Sequence, residues 1–220
     1  MVLIAGVDEA GKGSVIGEMC VSGVMTSDEK VIERLGLRDS KKLTRKQRQK
    51  LAVRIEKDAD KIIVLTVSAS QIDELRKVMT MNRIMVLCTA KVLEELKPEI
   101  AYLDSPDVKP ERFKEHVAKS YRHNTEIISE HRADENYPIV AAASIIAKVE
   151  RDRLIEDLKE RTGYEIGSGY PSDPKTKRFM EEWIQTHETY PSFVRKTWKT
   201  AERLLQEKRA STKLYEQSRC

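Results

Sequence analysis

The stretch Ile4-Ala5-Gly6-Val7-Asp8-Glu9-Ala10-Gly11-Lys12-Gly13-Ser14-Val15-Ile16-Gly17 decides how the rest of the chain is read. The apolar run at residues 2–7 has the composition of a strand, and two carboxylates follow it at once. A charge at a strand edge must be solvated, paired or metal-bound. Adjacent side chains on a strand point to opposite faces, so one site sees both acids only where the strand is ending. The glycines at 11, 13 and 17 supply such an ending and let a ligand's backbone come close. Gly6 to Lys12 also matches the opening of a phosphate-binding P-loop. That reading fails, because Gly13 stands where Ser or Thr is needed. Residues 14–24 also read as a second strand instead of a helix, and both acids would face an anion. A tight hairpin with solvated acids is the plain alternative for this stretch.

Composition sets the outer bounds. A chain of 220 residues suits one large domain, or a domain with an appendage. Hydrophobic residues at 40% suffice for a core, while charged residues at 35% exceed the usual share. The net charge is only +4, so affinity for nucleic acid must come from local patches. Cys20, Cys88 and Cys220 are far apart and odd in number, which predicts reduced thiols. His116, His123, His131 and His187 show no zinc-ligand spacing. Without a signal sequence or a long apolar segment, a soluble cytoplasmic protein is expected.

Along the chain, residues 2–7 and 15–26 predict a hairpin, and residues 28–35 a short helix. Thr44 and Gln47 form a capping-box start for a helix running to about Asp58. Residues 38–50 hold seven Lys or Arg against one Asp, a composition that suits phosphate at a helix start. A solvated helix face explains it equally well. Further strands are expected at 61–67, 100–107 and 125–130, with helices at 70–77, 79–96 and 110–120. A long helix opens at Pro138; its alanine-rich first half is apolar nearly all round and should be buried. The glycine- and proline-rich loop 163–174 carries Tyr164 and Tyr170. Beyond it the chain is helical and polar, with seven basic and two acidic residues over 195–213. The pattern predicts an α/β sheet with an antiparallel start and a helical C-terminal lobe. The expected division is 1–165 and 166–220.

Asp8 with Glu9, Asp104 and Asp134 each follow an apolar strand. If those strands are neighbours, four carboxylates converge, and repulsion would force some to protonate unless cations intervene. Hard divalent ions such as magnesium or manganese prefer carboxylate oxygen and water. Two of them about 3.5–4 Å apart would clamp an in-line displacement at phosphorus. For any one acid taken alone, a helix cap or an ion pair is the plainer role.

Six segments then fall in one order: Asp-Glu-Ala-Gly-Lys-Gly at 8–13, Asp-Ser-Lys-Lys-Leu at 39–43, Tyr-Leu-Asp-Ser-Pro at 102–106, His-Arg-Ala-Asp at 131–134, Ala-Ala-Ala-Ser-Ile-Ile-Ala-Lys-Val at 141–149 and Gly-Ser-Gly-Tyr-Pro-Ser-Asp-Pro at 167–174. Together they resemble ribonuclease HII, nearest its archaeal branch, over about residues 3 to 200. The resemblance implies a ribonuclease H-like mixed five-stranded sheet flanked by helices. It implies hydrolysis of the RNA strand of RNA–DNA hybrids and nicking 5′ of a lone ribonucleotide in duplex DNA, with 5′-phosphate products. Asp8, Glu9, Asp104 and Asp134 fall on the family's four acids for two Mg²⁺ or Mn²⁺ ions. Asp8 would bridge them, Asp134 complete the water-activating side, and Glu9 and Asp104 the leaving-group side. Gly11, Lys12 and Gly13 fall on the loop that feels the 2′-hydroxyl through the main chain, with lysine in place of the commoner arginine. Tyr170 falls on the tyrosine that hydrogen-bonds this hydroxyl; without the family it reads as a packing residue. Lys41, Lys42, Asn82 and Lys148 are expected phosphate contacts. A basic C-terminal helix including Arg195, Lys196 and Lys199 would hold the duplex by charge. A monomer is expected. The tail, residues 211–220, lacks the paired aromatics of a glutamine-plus-aromatic clamp motif, which argues against docking on a sliding clamp. The competing readings are a non-cleaving hybrid-binding module and another nuclease of the same fold class.

Overall fold

The computed structural model describes residues 2–37 and 43–217, with side chains as far as residue 210. Lys41 and Lys42 lie outside the described residues. Five strands form one sheet in the order β3-β2-β1-β4-β5. They are β1 (Ile4–Ala10), β2 (Met19–Thr26), β3 (Lys61–Val67), β4 (Ile100–Asp104) and β5 (Glu126–Glu130). β1 runs antiparallel to β2, from Ile4 opposite Thr26 to Ala10 opposite Cys20. It runs parallel to β4, with Val7 opposite Leu103, and β4 runs parallel to β5. The sheet is therefore mixed, and its antiparallel part is the opening hairpin.

Three expected strand bounds are corrected: β2 begins at Met19 and not at residue 15, β4 ends at Asp104 and not at residue 107, and β1 is longer than its apolar run. β1 does not stop at Val7 but continues through both acids to Ala10, because the hairpin pairing holds to its last residue. Glu9 is then next to last in the strand.

The helices are α1 (Glu29–Glu33), α2 (Arg45–Asp58), α3 (Ala69–Arg76), α4 (Met81–Leu96), α5 (Pro110–Ser120), α6 (Ala133–Asn136), α7 (Pro138–Thr162), α8 (Pro174–Thr186) and α9 (Lys199–Gln217). α2 and α3 begin at reciprocal capping boxes, Thr44 with Gln47 and Ser68 with Gln71. Such a cap contributes about 1 kcal/mol by filling donors that the first turn leaves open. α6 was not expected; it is a single turn inserted between β5 and α7.

The chain divides into two compact units. The first takes Met1–Ala10, Cys20–Thr66 and Met79–Arg151, and the second Gly11–Met19, Val67–Val78 and Asp152–Cys220. Contacts thus follow the fold and not one cut in the sequence: the glycine-rich loop after β1 groups with the C-terminal half. In the first unit, Ile139 to Ile146 of α7 pack with Val24, Ile32, Leu37 and Ile55. Gly6 makes this close approach possible, since a Cβ there would lie 2.4 Å from the carbonyl carbon of Ile139. In the second, Val15, Ile16 and Leu158 pack with Phe179, Met180, Tyr190 and Val194. No described helix is long and apolar enough to cross a membrane.

Candidate active site

Strand register brings the acids of the first unit together. Val7 stands opposite Leu103, so one step further along the parallel pair Asp8 comes beside Asp104. Asp8, Glu9 and Asp104 each offer a carboxylate oxygen within 4.8 Å of the others'. The alternation rule would have separated Asp8 from Glu9. Both carboxylates nevertheless reach one group, and the Glu9 main-chain N–H donates to Asp8 Oδ1 at 2.7 Å. Asp134 is not in that group of three. It is buried in the first turn of α6, and the N–H of the preceding Ala133 donates to Asp104 Oδ1 at 2.8 Å. The short helix that periodicity did not reveal is thus what ties Asp134 to the end of β4.

Burial pushes the Asp8 carboxyl well above the usual carboxylate range, and the neighbouring charges of Glu9 and Asp104 push it further. Hydrogen bonds from the Ser144 hydroxyl and the Glu9 N–H act the other way without reversing this. Three carboxylates at such separations repel by roughly 3 kcal/mol per pair at an effective dielectric of about 20. Protonation or a bound cation relieves that repulsion. The donor set consists of carboxylate oxygens alone, which fits a hard divalent ion. Lys148 Nζ donates to Ser144 Oγ at 2.7 Å, so a lysine, a serine and Asp8 are linked in sequence.

Asn82 donates to Asp107 Oδ2 at 3.2 Å, beside the Arg112 guanidinium. Its amide supports the turn after β4. In the second unit the Gly11 N–H donates to the Tyr170 hydroxyl at 3.1 Å. Gly11 has φ +84°, a conformation glycine adopts without penalty. Gly13 is different: a Cβ there would meet no described atom within 4 Å. Lys196 and Lys199 are exposed. Arg195 is not. It is fully buried and precedes α9, so the expectation that it grips a duplex from a basic helix is corrected. Its guanidinium is satisfied by main-chain carbonyl groups of residues 12 and 17, a role that charge counting along a sequence could not show.

A mixed five-stranded sheet with flanking helices, bearing a buried acid and two half-buried ones at adjacent strand ends, defines the ribonuclease H-like class. Two solved relatives share the architecture. The chain is similar to ribonuclease H2 of Pyrococcus horikoshii, with TM-score 0.86, 44% identity, and 94% of this chain and 99% of that one covered. It is also similar to the ribonuclease HII of Archaeoglobus fulgidus solved in a complex with PCNA, with TM-score 0.85, 50% identity, and coverage of 91% and 96%. The ribonuclease HII of Methanosarcina barkeri is 54% identical over 215 residues, which are 93% of this chain and 96% of that protein. The ribonuclease HII family model matches residues 5–201, and the chain belongs to that family.

Proposed function

We propose that the chain is a metal-dependent endonuclease that hydrolyses the RNA strand of RNA–DNA hybrids. On this reading it also nicks 5′ of a single ribonucleotide in duplex DNA and leaves 5′-phosphate ends. The observation that carries this is the close set of Asp8, Glu9 and Asp104 in a chain of the ribonuclease HII family. These three with Asp134 are assigned to hold two divalent ions, Mg²⁺ or Mn²⁺. Bound there, such a pair supplies water activation and stabilisation of the departing oxygen. Asp8 would serve as one of the ligands, and the Ser144 hydroxyl and Glu9 N–H hold its carboxylate in place.

Gly11, Lys12, Gly13 and Tyr170 are assigned to the ribose. Only the 2′-hydroxyl distinguishes RNA from DNA at one nucleotide, so its reader must come close to the sugar. The open space around Gly13 supports this, because nothing in the described protein requires glycine there. Lys148, with exposed Lys196 and Lys199, is assigned to phosphates. Lys41 and Lys42 keep that assignment from sequence alone. The Archaeoglobus fulgidus relative makes a clamp the second partner reading for this chain.

A labelled duplex carrying one ribonucleotide, incubated with Mg²⁺ and mapped on a sequencing gel, tests the proposal. One nick on the 5′ side is expected, removed by chelation, with an all-DNA duplex left whole. No scission at all would leave a binding module. Equal scission of an all-DNA duplex or a four-way junction would indicate a different nuclease.

A further inference from the structure

We infer that Arg195 is a positioning residue that sets the aim of the Gly11–Lys12–Gly13 loop, and that it does not contact the duplex. The inference rests on the ribose-reading assignment made for that loop. Arg195 is 0% exposed, and a guanidinium taken out of water is tolerated only where its donors are filled. Nη1 donates to the Lys12 carbonyl at 2.9 Å. Nε and Nη2 both donate to the Gly17 carbonyl, at 3.3 and 3.1 Å. One rigid planar cation therefore spans the loop, while its own main-chain N–H donates to the Val15 carbonyl at 2.8 Å between the two anchors. Its Cζ lies 4.8 Å from the centre of the Trp198 ring, which covers the flat face.

The anchor at Lys12 matters for recognition. The Lys12 carbonyl and the Gly13 N–H belong to one planar peptide unit and point in opposite directions. Fixing the carbonyl on Arg195 fixes where the Gly13 N–H is directed. Gly11 is held separately, through its N–H on the Tyr170 hydroxyl, and Val15 and Ile16 through theirs on the Gly169 carbonyl. The residues after Arg195 are held in turn by Asp73. Its carboxylate accepts from the Lys196 N–H at 2.7 Å, the Thr197 N–H at 3.1 Å and the Thr197 hydroxyl at 2.7 Å. Lysine at 195 would keep the charge but could not reach both carbonyl groups from one planar fork.

The test is binding measured by fluorescence anisotropy in chelator, so that nothing is cut. Two duplexes are compared, one with a single ribonucleotide and one all-DNA, for wild type and Arg195→Lys. The wild type should prefer the ribonucleotide duplex. R195K should lose that preference by roughly 10-fold, the worth of one well-made hydrogen bond to the sugar, with all-DNA affinity and its salt dependence unchanged. A preserved preference in folded R195K overturns the inference. So does a fall in all-DNA affinity with a shallower salt slope, which would mean that Arg195 grips phosphate. Should R195K fail to fold, Asp73→Asn decides: it loosens the same segment and must lower the preference in smaller measure, and an unchanged preference overturns the inference. A wild type without any preference sinks the ribose-reading assignment itself, a failure visible before any variant is made.

Discussion

A carboxylate buried as deeply as Asp8, with two others beside it, is held against its own electrostatics. The fold gains nothing in stability from that charge, so its cost must serve something else. Replacing Asp8 by Asn keeps the shape and its hydrogen bonds while removing one of three like charges. We expect turnover to fall by at least about three orders of magnitude, in line with losses at groups that act as a unit. The ion-free protein should gain stability, by about 1 kcal/mol. Mg²⁺ or Mn²⁺ should raise the midpoint of thermal unfolding in the wild type and hardly at all in the variant, because a ligand stabilises only the state that binds it. Equal shifts in both proteins would remove Asp8 from the ion site. Arg195 teaches the opposite lesson. Its charge looks like a surface feature in the sequence, yet it is spent inside the protein on carbonyl oxygens.

At the scale of elements, the turn between β4 and α5 is organised by Asp107. It accepts from the Lys109 N–H at 3.0 Å, Arg112 Nε at 3.0 Å and Asn82 Nδ2 at 3.2 Å, joining α4 to the start of α5. The Arg112 guanidinium, with the Lys109 N–H, holds the Asp107 carboxyl below its usual range. A carboxyl depressed in the folded state contributes stability that is present above its ordinary value of 3.8 and lost as pH falls through the folded one. Acid unfolding of the wild type should therefore steepen below about pH 4. Asp107→Asn should be roughly 1–2 kcal/mol less stable at neutral pH and should show less of that acid-side loss. Identical unfolding midpoints for the two proteins from pH 3 to pH 7 would show that the turn does not depend on this charge. Since Asp104 immediately precedes the turn, Asp107→Asn should also bind divalent ions more weakly.

For the whole molecule, a net charge of +4 limits how strongly a polyanion is held at a distance. Binding of an all-DNA duplex should weaken with salt, with a slope of log affinity against log salt no steeper than about −5. Anisotropy titrations at several salt concentrations measure it, and a slope near −10 would require a phosphate-binding surface larger than the exposed lysines named above. Much of this molecule was legible in its sequence. Strand composition found all five strands and placed β3 and β5 nearly to the residue, and capping and proline signals did the same for α2, α3 and α5, because those signals are local. The ends of β1, β2 and β4 moved by two to four residues, because backbone pairing sets them. The six ordered motifs pointed to the family and to the four acids. Tertiary structure alone decided three matters. The β1–β4 register, set by backbone pairing between residues about a hundred apart, gathers Asp8, Glu9 and Asp104. The single turn α6 is too short to leave a periodic signal, and it buries Asp134 one residue from the Asp104 hydrogen bond. The inward turn of Arg195 depends on carbonyl groups far away along the chain, which no local rule can see. Residue type and spacing declare which groups are available; only packing assigns each of them to solvent, to substrate or to the protein itself.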